Sequence, residues 1–329
     1  MIILCINNSL CKDGMSYTLH QLRIFEKVAS EGSVTGAAKK LHMTQPAVSI
    51  QLKQLQDHFG VSLTEVVGRK LYLTDAGKEL YDRIRVINTE LLNMEAHLDE
   101  IRGNVRGKLH FSVVSTGKYF MPSILGRYKT LYPGIDLQLE VSNRFTTFQH
   151  LKDNDTDFAV VSIPPDHLPV ESFPIMRNPL VVAAPPTFVE ATPGPVPFKS
   201  LTNEPFLLRE KGSGTRLIML DLFKKYRIDP TIAFELATSE AIKQAVMAGL
   251  GMSLLSKFSI KSELQSGEIR VLDVEGFPLV NTWQVIWRKG RNFSPAARTF
   301  LEFLKSEKTR FESEMFDWVY KDGLGLGLS

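Results

Sequence analysis

Apolar residues first recur at helical spacing at Leu22, Phe25, Val28 and Ala29, one face of a helix that stops near Gly32. Thr18 followed by Gln21 is a capping-box pattern at its start. Ser33 caps a second, short helix, "VTGAAKKL", whose Ala37 and Ala38 are small enough for a neighbouring helix to approach closely. "HMT" is a tight connection to a third helix, capped by Thr44, with Pro46 in its first turn where a missing N–H costs nothing. Along it Val48, Leu52, Leu55 and Phe59 form the expected buried stripe, while Gln45, Pro46, Ser49 and Lys53 lie on another face. "SLTEVVGRKLYLT" (Ser62 to Thr74) then reads as a short hairpin turning at Gly68.

The period changes next. Leu80, Ile84, Ile87, Leu91, Met94, Leu98 and Ile101 alternate at spacings of four and three, a strict heptad seam. Thr74 or Asp75 caps this helix and Gly103 ends it. At ~1.5 Å per residue it is on the order of 40 Å long. Its stripe needs a mate helix, which makes these seven residues the expected dimerisation seam; the alternative is that the stripe packs on its own domain.

Beyond "GNVRG" strands and helices alternate. "KLHFSVVS", a helix over "TGKYFMPSILGRYKTLYP", "IDLQLEV", a helix from Arg144 to Lys152 and "DFAVV" form β-α-β-α-β, which implies a parallel sheet. A second series runs from "LVVAAP" through "FLLRE", a helix from Thr215, "IAFEL", a helix from Glu240 and "MSLLS". "TWQVIW" and a helix from Ser294 come last. Two α/β lobes with the chain crossing between them leave a cleft at the carboxyl ends of the strands, where ligands bind.

At 329 residues the chain is long enough for two or three units, and its net charge of +3 says little about partners. No apolar run reaches the ~18 residues of a membrane span, so no membrane association is expected. "MIILCI" lacks a basic n-region and a full apolar core, unlike a signal peptide. Cys5 and Cys11 both precede Met15, in a segment too poorly patterned for a disulfide scaffold. A reducing, cytoplasmic location is expected, with 1–14 an upstream extension and Met15 the working start.

Two short helices joined by a tight turn, the second with a polar N-terminal half, make a helix-turn-helix. Gln and Ser can read base edges and Lys can neutralise phosphate. Arg69 and Lys70 sit beside the Gly68 turn as a basic wing. Between Met15 and Ala76 there are seven Lys and Arg against five Asp and Glu, so affinity cannot rest on bulk charge and a dimer would help.

Three strand-to-helix junctions carry small hydroxyl or glycine residues: Ser115 with Thr116, the run Gly212, Ser213, Gly214 and Thr215, and Thr238 with Ser239. Free N–H groups at a helix start favour an anion, and Arg209, Lys211, Arg216 and Lys118 add charge. The plainer alternative is that Ser and Thr are ordinary N-caps. There is no Cys/His metal spacing, no GxSxG, no GxGxxG and no Walker A sequence. Neither a metal nor a cofactor is expected, and nothing marks an enzyme. The competing class is a cytoplasmic solute-binding protein or enzyme built on the two lobes, with the N-terminal helices as a dimerisation module.

The stretch "LHQLRIFEKVASEGSVTGAAKKLHMTQPAVSIQLKQLQDHFG" with "GRKLYLTDAG", a long helix and a two-lobed domain resembles the LysR-type transcriptional regulators from roughly Tyr17 to Phe303. "VVSTGKYFMP", "NRFTTFQHLKDNDTDFAVV", "NPLVVAAPP", "FLLREKGSGTR" and "AIKQAVMAGLGMSLLS" resemble the regulators of carbon-fixation (Calvin-cycle) operons within that family. A sulfur- or nitrogen-assimilation regulator is the nearest rival.

The resemblance implies an α/β protein: a winged helix-turn-helix (15–74), a linker helix (75–103) and a two-lobed, periplasmic-binding-protein-like effector domain (104–310), with a tail from 311 to 329. Lobe 1 would take 108–180 and 282–310, lobe 2 181–281. It implies a homotetramer, a dimer of dimers, on a double-stranded DNA operator, with RNA polymerase a further partner. A small anionic metabolite in the cleft would switch it; a phosphorylated one is favoured, with sulfate or a carboxylate the alternative. Carried over by position, the DNA-facing set is Ser33, Thr35, Thr44, Gln45, Pro46, Ser49, Lys53, Arg69 and Lys70. The effector set is Ser115, Thr116, Ser162, Arg209, Gly212 to Thr215, Thr238 and Ser239. Three departures stand out. Leu63, Thr64, Glu65 and Val66 replace the wing's usual Leu-Phe-x-Arg, leaving that contact to Arg69 and Lys70. Ser162 and Ile163 replace Gly-Arg before Pro164, removing an effector-binding arginine, and Lys211 replaces a proline.

Overall fold

Three capped helices begin the structure, a computed structural model that describes residues 17–68, 70–101, 105–188 and 194–321. The segment 1–14, Met15, Arg69, Gly103 and residues 322–329 lie outside the described residues. Helix α1 (Leu19–Glu31) carries the full capping box, Thr18 accepting from the Gln21 N–H while the Gln21 side chain accepts from the Thr18 N–H. Ser33 caps α2 (Val34–Lys40) and Thr44 caps α3 (Gln45–Phe59). Leu22, Ile24, Phe25, Val28, Ala37, Ala38, Val48, Leu52 and Leu55 bury one core. Phe59 departs from the expected stripe. In the last turn of α3 it is exposed, with its ring against Tyr17 and His58 at 5.2 and 5.0 Å.

Strands β1 (Thr64–Val67) and β2 (Lys70–Leu73) form an antiparallel wing. The Gln56 side-chain oxygen Oε1 ties it to α3 by accepting from the N–H groups of Leu63 and Thr64 at 2.9 and 3.2 Å. Thr74 is the cap of the long helix α4 (Asp75–Ile101): its hydroxyl accepts from the Gly77 N–H at 3.1 Å and donates to the Ser62 carbonyl at 2.7 Å. Only glycine fits position 77, where a Cβ would lie 1.9 Å from the Leu63 oxygen.

The heptad seam divides. Ile84 is wholly enclosed in the N-terminal core and Leu80 packs against it. These two positions therefore stabilise their own unit, and the expectation that they form a dimer seam is corrected. Nearby, the Asn88 amide donates to Glu26 at 2.8 Å, binding α4 to α1. Further on the seam is open: Ile87, Met94, Leu98 and Ile101 are 39, 54, 53 and 81% exposed, and Leu91 is half-buried.

Two compact units divide the chain near residue 94. The second starts with β3 (Gly107–Val114), α5 (Met121–Leu131), β4 (Ile135–Ser142), α6 (Arg144–Lys152) and β5 (Phe158–Val161). β3 pairs in parallel with both β4 and β5, the arrangement expected of β-α-β-α-β. β6 (Val170–Ala184) then leads into β7 (Pro205–Arg209), α7 (Gly214–Tyr226), β8 (Thr231–Leu236), α8 (Ser239–Met247), β9 (Ser253–Ser256), α9 (Lys261–Ser266) and β10 (Arg270–Val271). β11 (Leu279–Arg288) and α10 (Pro295–Arg310) close the unit. β6 pairs with β11 from Val170 to Leu180, then with β9 and β10 up to Ala184, so one strand runs through both lobes and β11 returns beside it.

Two elements differ from the sequence expectation. The helix expected from Thr116 opens as a 3₁₀ turn over Ser115–Tyr119 and becomes α-helical only at Met121. Pro122 dictates this, since proline is tolerated in a first turn but not in a helix interior. The strand expected at "LVVAAP" begins ten residues earlier, at Val170, despite Pro174 and Pro179. Among the described residues, that half of β6 bonds only to β11, and an edge strand can spare proline's missing donor.

Residues 311–321, set apart as a tail, pack on lobe 1. Phe311 and Val319 are fully buried and Phe316 nearly so, in one core with Phe120, Trp283 and Phe300. The Glu312 carboxylate accepts from the Arg177 N–H at 2.6 Å and its Nε at 3.1 Å, and the Tyr320 hydroxyl donates to the Arg177 carbonyl at 2.7 Å. Phe311→Ala is therefore expected to cost about 3–5 kcal/mol, the usual range for emptying a buried aromatic site. Urea denaturation reads it: an unchanged midpoint would mean that this segment is dispensable to the core.

Candidate functional site

The N-terminal half of α3 presents a polar surface because its apolar residues turn inward. Thr44, Gln45, Pro46 and Lys53 are exposed and Ser49 is partly so, while Val48 and Leu52 between them are buried. The Gln45 amide donates to the Ser49 hydroxyl at 3.0 Å, one helical turn on. That bond does not use the Gln45 side-chain oxygen or the Ser49 hydroxyl proton, which leaves the pair an acceptor and a donor to offer. Thr35 is exposed at the start of α2, and Ser33 is occupied in capping, its hydroxyl accepting from the Gly36 N–H at 3.2 Å. Lys70 is exposed at the wing tip. A helix with such a face, flanked by a wing, has the shape that enters a major groove.

The second site is a cavity of about 30 Å³ between the two lobes. Ser115, Thr116 and Ser162 from lobe 1 and Arg209, Ser213, Gly214 and Thr215 from lobe 2 all line it, as expected from sequence. Ser213 sits at the N-cap of α7, yet its side chain makes no capping hydrogen bond. Its hydroxyl is therefore not spent on capping the helix. Three expected residues fall elsewhere. Thr238 is exposed and spends its hydroxyl capping α8, accepting from the Ala241 N–H at 3.0 Å. Gly212 opens onto a neighbouring groove. Ser239 lies behind the cavity and accepts a hydrogen bond from Arg209.

The charges are distributed differently from expectation. Arg209 is 5% exposed and its guanidinium is held by Glu210 at 2.7 and 3.0 Å and by the Ser115 hydroxyl at 3.2 Å, so its charge is internally compensated. Arg216 turns away to Glu235 at 2.7 Å. Lys118 lies over the Tyr119 ring at 4.9 Å, and Lys211 is exposed outside the cavity lining. Beside the cavity the Tyr119 hydroxyl donates to Glu240 across the lobes at 3.1 Å. Burial pushes its phenol up to about 12, so it remains a donor.

Asn143 and Arg144 line the cavity and were not singled out from the sequence. Asn143 caps α6, accepting from the Thr146 N–H at 2.9 Å, so an Asn immediately before a helix was the available signal. Arg144 follows and directs its guanidinium toward the Ile163 and Pro164 carbonyls, both at 3.4 Å. A cation therefore stands beside position 163, where the resemblance had left one missing. Arg144 has no carboxylate within ion-pair distance among the described residues. Burial lowers its pKa, while the more distant Asp166 opposes that shift. A guanidinium with no ion-paired carboxylate among the described residues, five hydroxyl side chains and the starts of α6, α7 and the 3₁₀ turn thus surround one small polar chamber. This arrangement can hold an anionic group.

Two family models match the chain: a bacterial regulatory helix-turn-helix protein of the lysR family over residues 19–78, and a LysR substrate binding domain over residues 102–309. A RuBisCO operon transcriptional regulator of Allochromatium vinosum is 40% identical over 301 residues, covering 92% of this chain and 100% of the relative. The HTH-type transcriptional activator CmpR of Synechocystis sp. is 40% identical over 287 residues, 87% of this chain and 94% of the relative. Among solved structures, the regulatory domain of Synechocystis PCC6803 CcmR in complex with 2-PG is similar with a TM-score of 0.60 and 37% identity, covering 62% of this chain and 98% of that one.

Proposed function

Because this chain belongs to the LysR family of bacterial transcriptional regulators, we propose that it controls a carbon-assimilation operon in response to a small anion bound between its two lobes. The helix-turn-helix reads DNA, with Gln45 and Ser49 on base edges and Lys53, Lys70 and Arg69 on phosphates. The open half of the α4 seam joins two copies, and the effector domains join two such pairs into a tetramer in the cytoplasm, where RNA polymerase is the further partner. The observation that carries the anion is Arg144: a guanidinium lining the chamber with no carboxylate paired to it among the described residues. The 2-PG bound by the CcmR regulatory domain supports a phosphorylated effector. Conversion of a ligand into a signal needs unequal affinity for two conformations; an anion bridging Thr116 on lobe 1 and Thr215 on lobe 2 would favour a closed pair of lobes.

An enzymatic reading has one contact in its favour, a Ser112–His150–Glu140 chain with separations of 3.2 and 3.6 Å. Ser112 is 1% exposed, and the relatives are named as regulators, which weighs against that reading.

Thr116→Val keeps the side chain's shape and deletes its hydroxyl. Calorimetric titration of both proteins with 2-PG, sugar phosphates, phosphoenolpyruvate, NADPH and sulfate tests the site. The wild type is expected to bind at least one anion, and Thr116→Val to bind it about tenfold more weakly, the scale of one lost hydrogen bond. Equal binding by both proteins, or no binding by any anion, would remove this chamber from the account.

A further inference from the structure

A chamber of about 30 Å³ holds little more than one or two waters. It can receive an anionic group, but the remainder of any metabolite must lie outside it. The adjoining space is a groove of about 350 Å³ on the other side of Arg144, which lines both. That volume is within the usual range for small-molecule sites.

The groove differs in chemistry from the chamber. Phe145 stands at its edge 70% exposed, an unusual position for a phenyl ring one residue into a helix. Phe148 forms the floor; the Arg144 guanidinium lies over its ring at 4.4 Å and the His167 ring meets it edge-on at 6.1 Å. Leu168 adds apolar surface and Lys152 adds a second cation. Like Arg144, Lys152 has no ion-paired carboxylate among the described residues. Asp153, the acid next to it in sequence, is engaged by the Gln149 amide at 2.7 Å. On lobe 2 the loop at Gly212 comes so close that a Cβ there would touch that of Phe145 at 3.4 Å. The groove therefore lies at the mouth of the cleft, lined by aromatic rings and two cations that have no ion-paired carboxylate among the described residues.

We propose that this groove is a second compartment of the cleft that takes a planar aromatic or heteroaromatic ring, with the ring's anionic substituent on Arg144. The inference rests on the anion reading of the chamber and specifies its ligand class. A flat ring gains stacking on the exposed Phe145 and attraction from the guanidinium beside it. An aliphatic anion of equal charge gains only the ionic part and leaves Phe145 in water. Because Arg144 serves both compartments, a ring-bearing anion and a small inorganic anion compete.

The test is ¹⁹F NMR of the full chain with 4-fluorobenzoate, using trans-4-fluorocyclohexanecarboxylate as the non-planar control. The benzoate is expected to bind about tenfold tighter than the control. Phe145→Ser should remove that preference, Lys152→Gln should weaken both ligands, and inorganic phosphate should displace the benzoate. Phe145 is exposed, so its variant should fold, and unchanged DNA binding in the absence of ligand checks this. Equal binding of the two carboxylates, or a preference that survives Phe145→Ser, overturns the proposal. Calorimetry of Phe145→Ser with 2-PG separates the two failures. Retained 2-PG binding with no aromatic preference rejects the groove alone, whereas no anion binding even by the wild type rejects the chamber too.

Discussion

Leu98→Asp is expected to sediment as a smaller species and to lose operator affinity by about 10²- to 10⁴-fold, the gain that linking two binding events supplies. Leu98 is 53% exposed on α4, in line with Met94 and Ile101, which are also open. If a second helix covers this stripe, an aspartate there is buried without a counter-charge, and an unpaired buried carboxylate is costly. The loss reaches DNA because each helix-turn-helix is weakly charged and both half-sites must be held together. Ile84→Asp is the necessary contrast. Ile84 is enclosed in the N-terminal core, so its variant should lose that unit's fold, visible as lost helical signal, whereas Leu98→Asp should keep it. A Leu98→Asp protein with unchanged sedimentation and intact DNA binding would contradict the seam.

The double variant Gln45→Ala, Ser49→Ala should bind DNA without preferring its operator. Each good base contact contributes about 1–3 kcal/mol of discrimination, and these two side chains are already joined by a 3.0 Å hydrogen bond. Both are on the surface of α3 and neither supports the core, so helicity should be unchanged. Lys70→Ala makes the opposite pattern: weaker binding to every sequence and a salt slope reduced by about one unit. A normal footprint from the Gln45→Ala, Ser49→Ala protein would mean that another surface reads the bases.

The DNA-reading unit was largely legible in the sequence because local signals set it. Caps at Thr18, Ser33 and Thr44 and the inward run Val48, Leu52 and Leu55 each act within a few residues. The seam was legible as a pattern but not in its use. Periodicity marks Ile84 and Leu98 alike, and only the fold shows that the first is taken by α1 and its neighbours. Junctions at Ser115–Thr116 and Ser213–Thr215 could be read as anion sites from small hydroxyl residues before helices. That they share one chamber with Arg144 could not, since α6 reaches it through sheet pairing distant in sequence. Arg216 and Lys211 were misleading for the same reason: proximity along the chain said nothing of Glu235, which takes the first, or of solvent, which takes the second. The strand from Val170 was hidden by prolines that only its edge position excuses.

Fluorescence anisotropy of labelled operator DNA, with wild type and Thr116→Val at increasing 2-PG, tests DNA binding and effector response together. Without 2-PG the two proteins should bind alike, because Thr116 lies in the effector unit and not among the DNA-facing residues. Adding 2-PG should shift the wild-type binding curve, and the same shift in Thr116→Val should need about tenfold more ligand. Identical responses from the two proteins, or DNA binding indifferent to 2-PG and to every other anion tried, would contradict a regulator switched through this chamber.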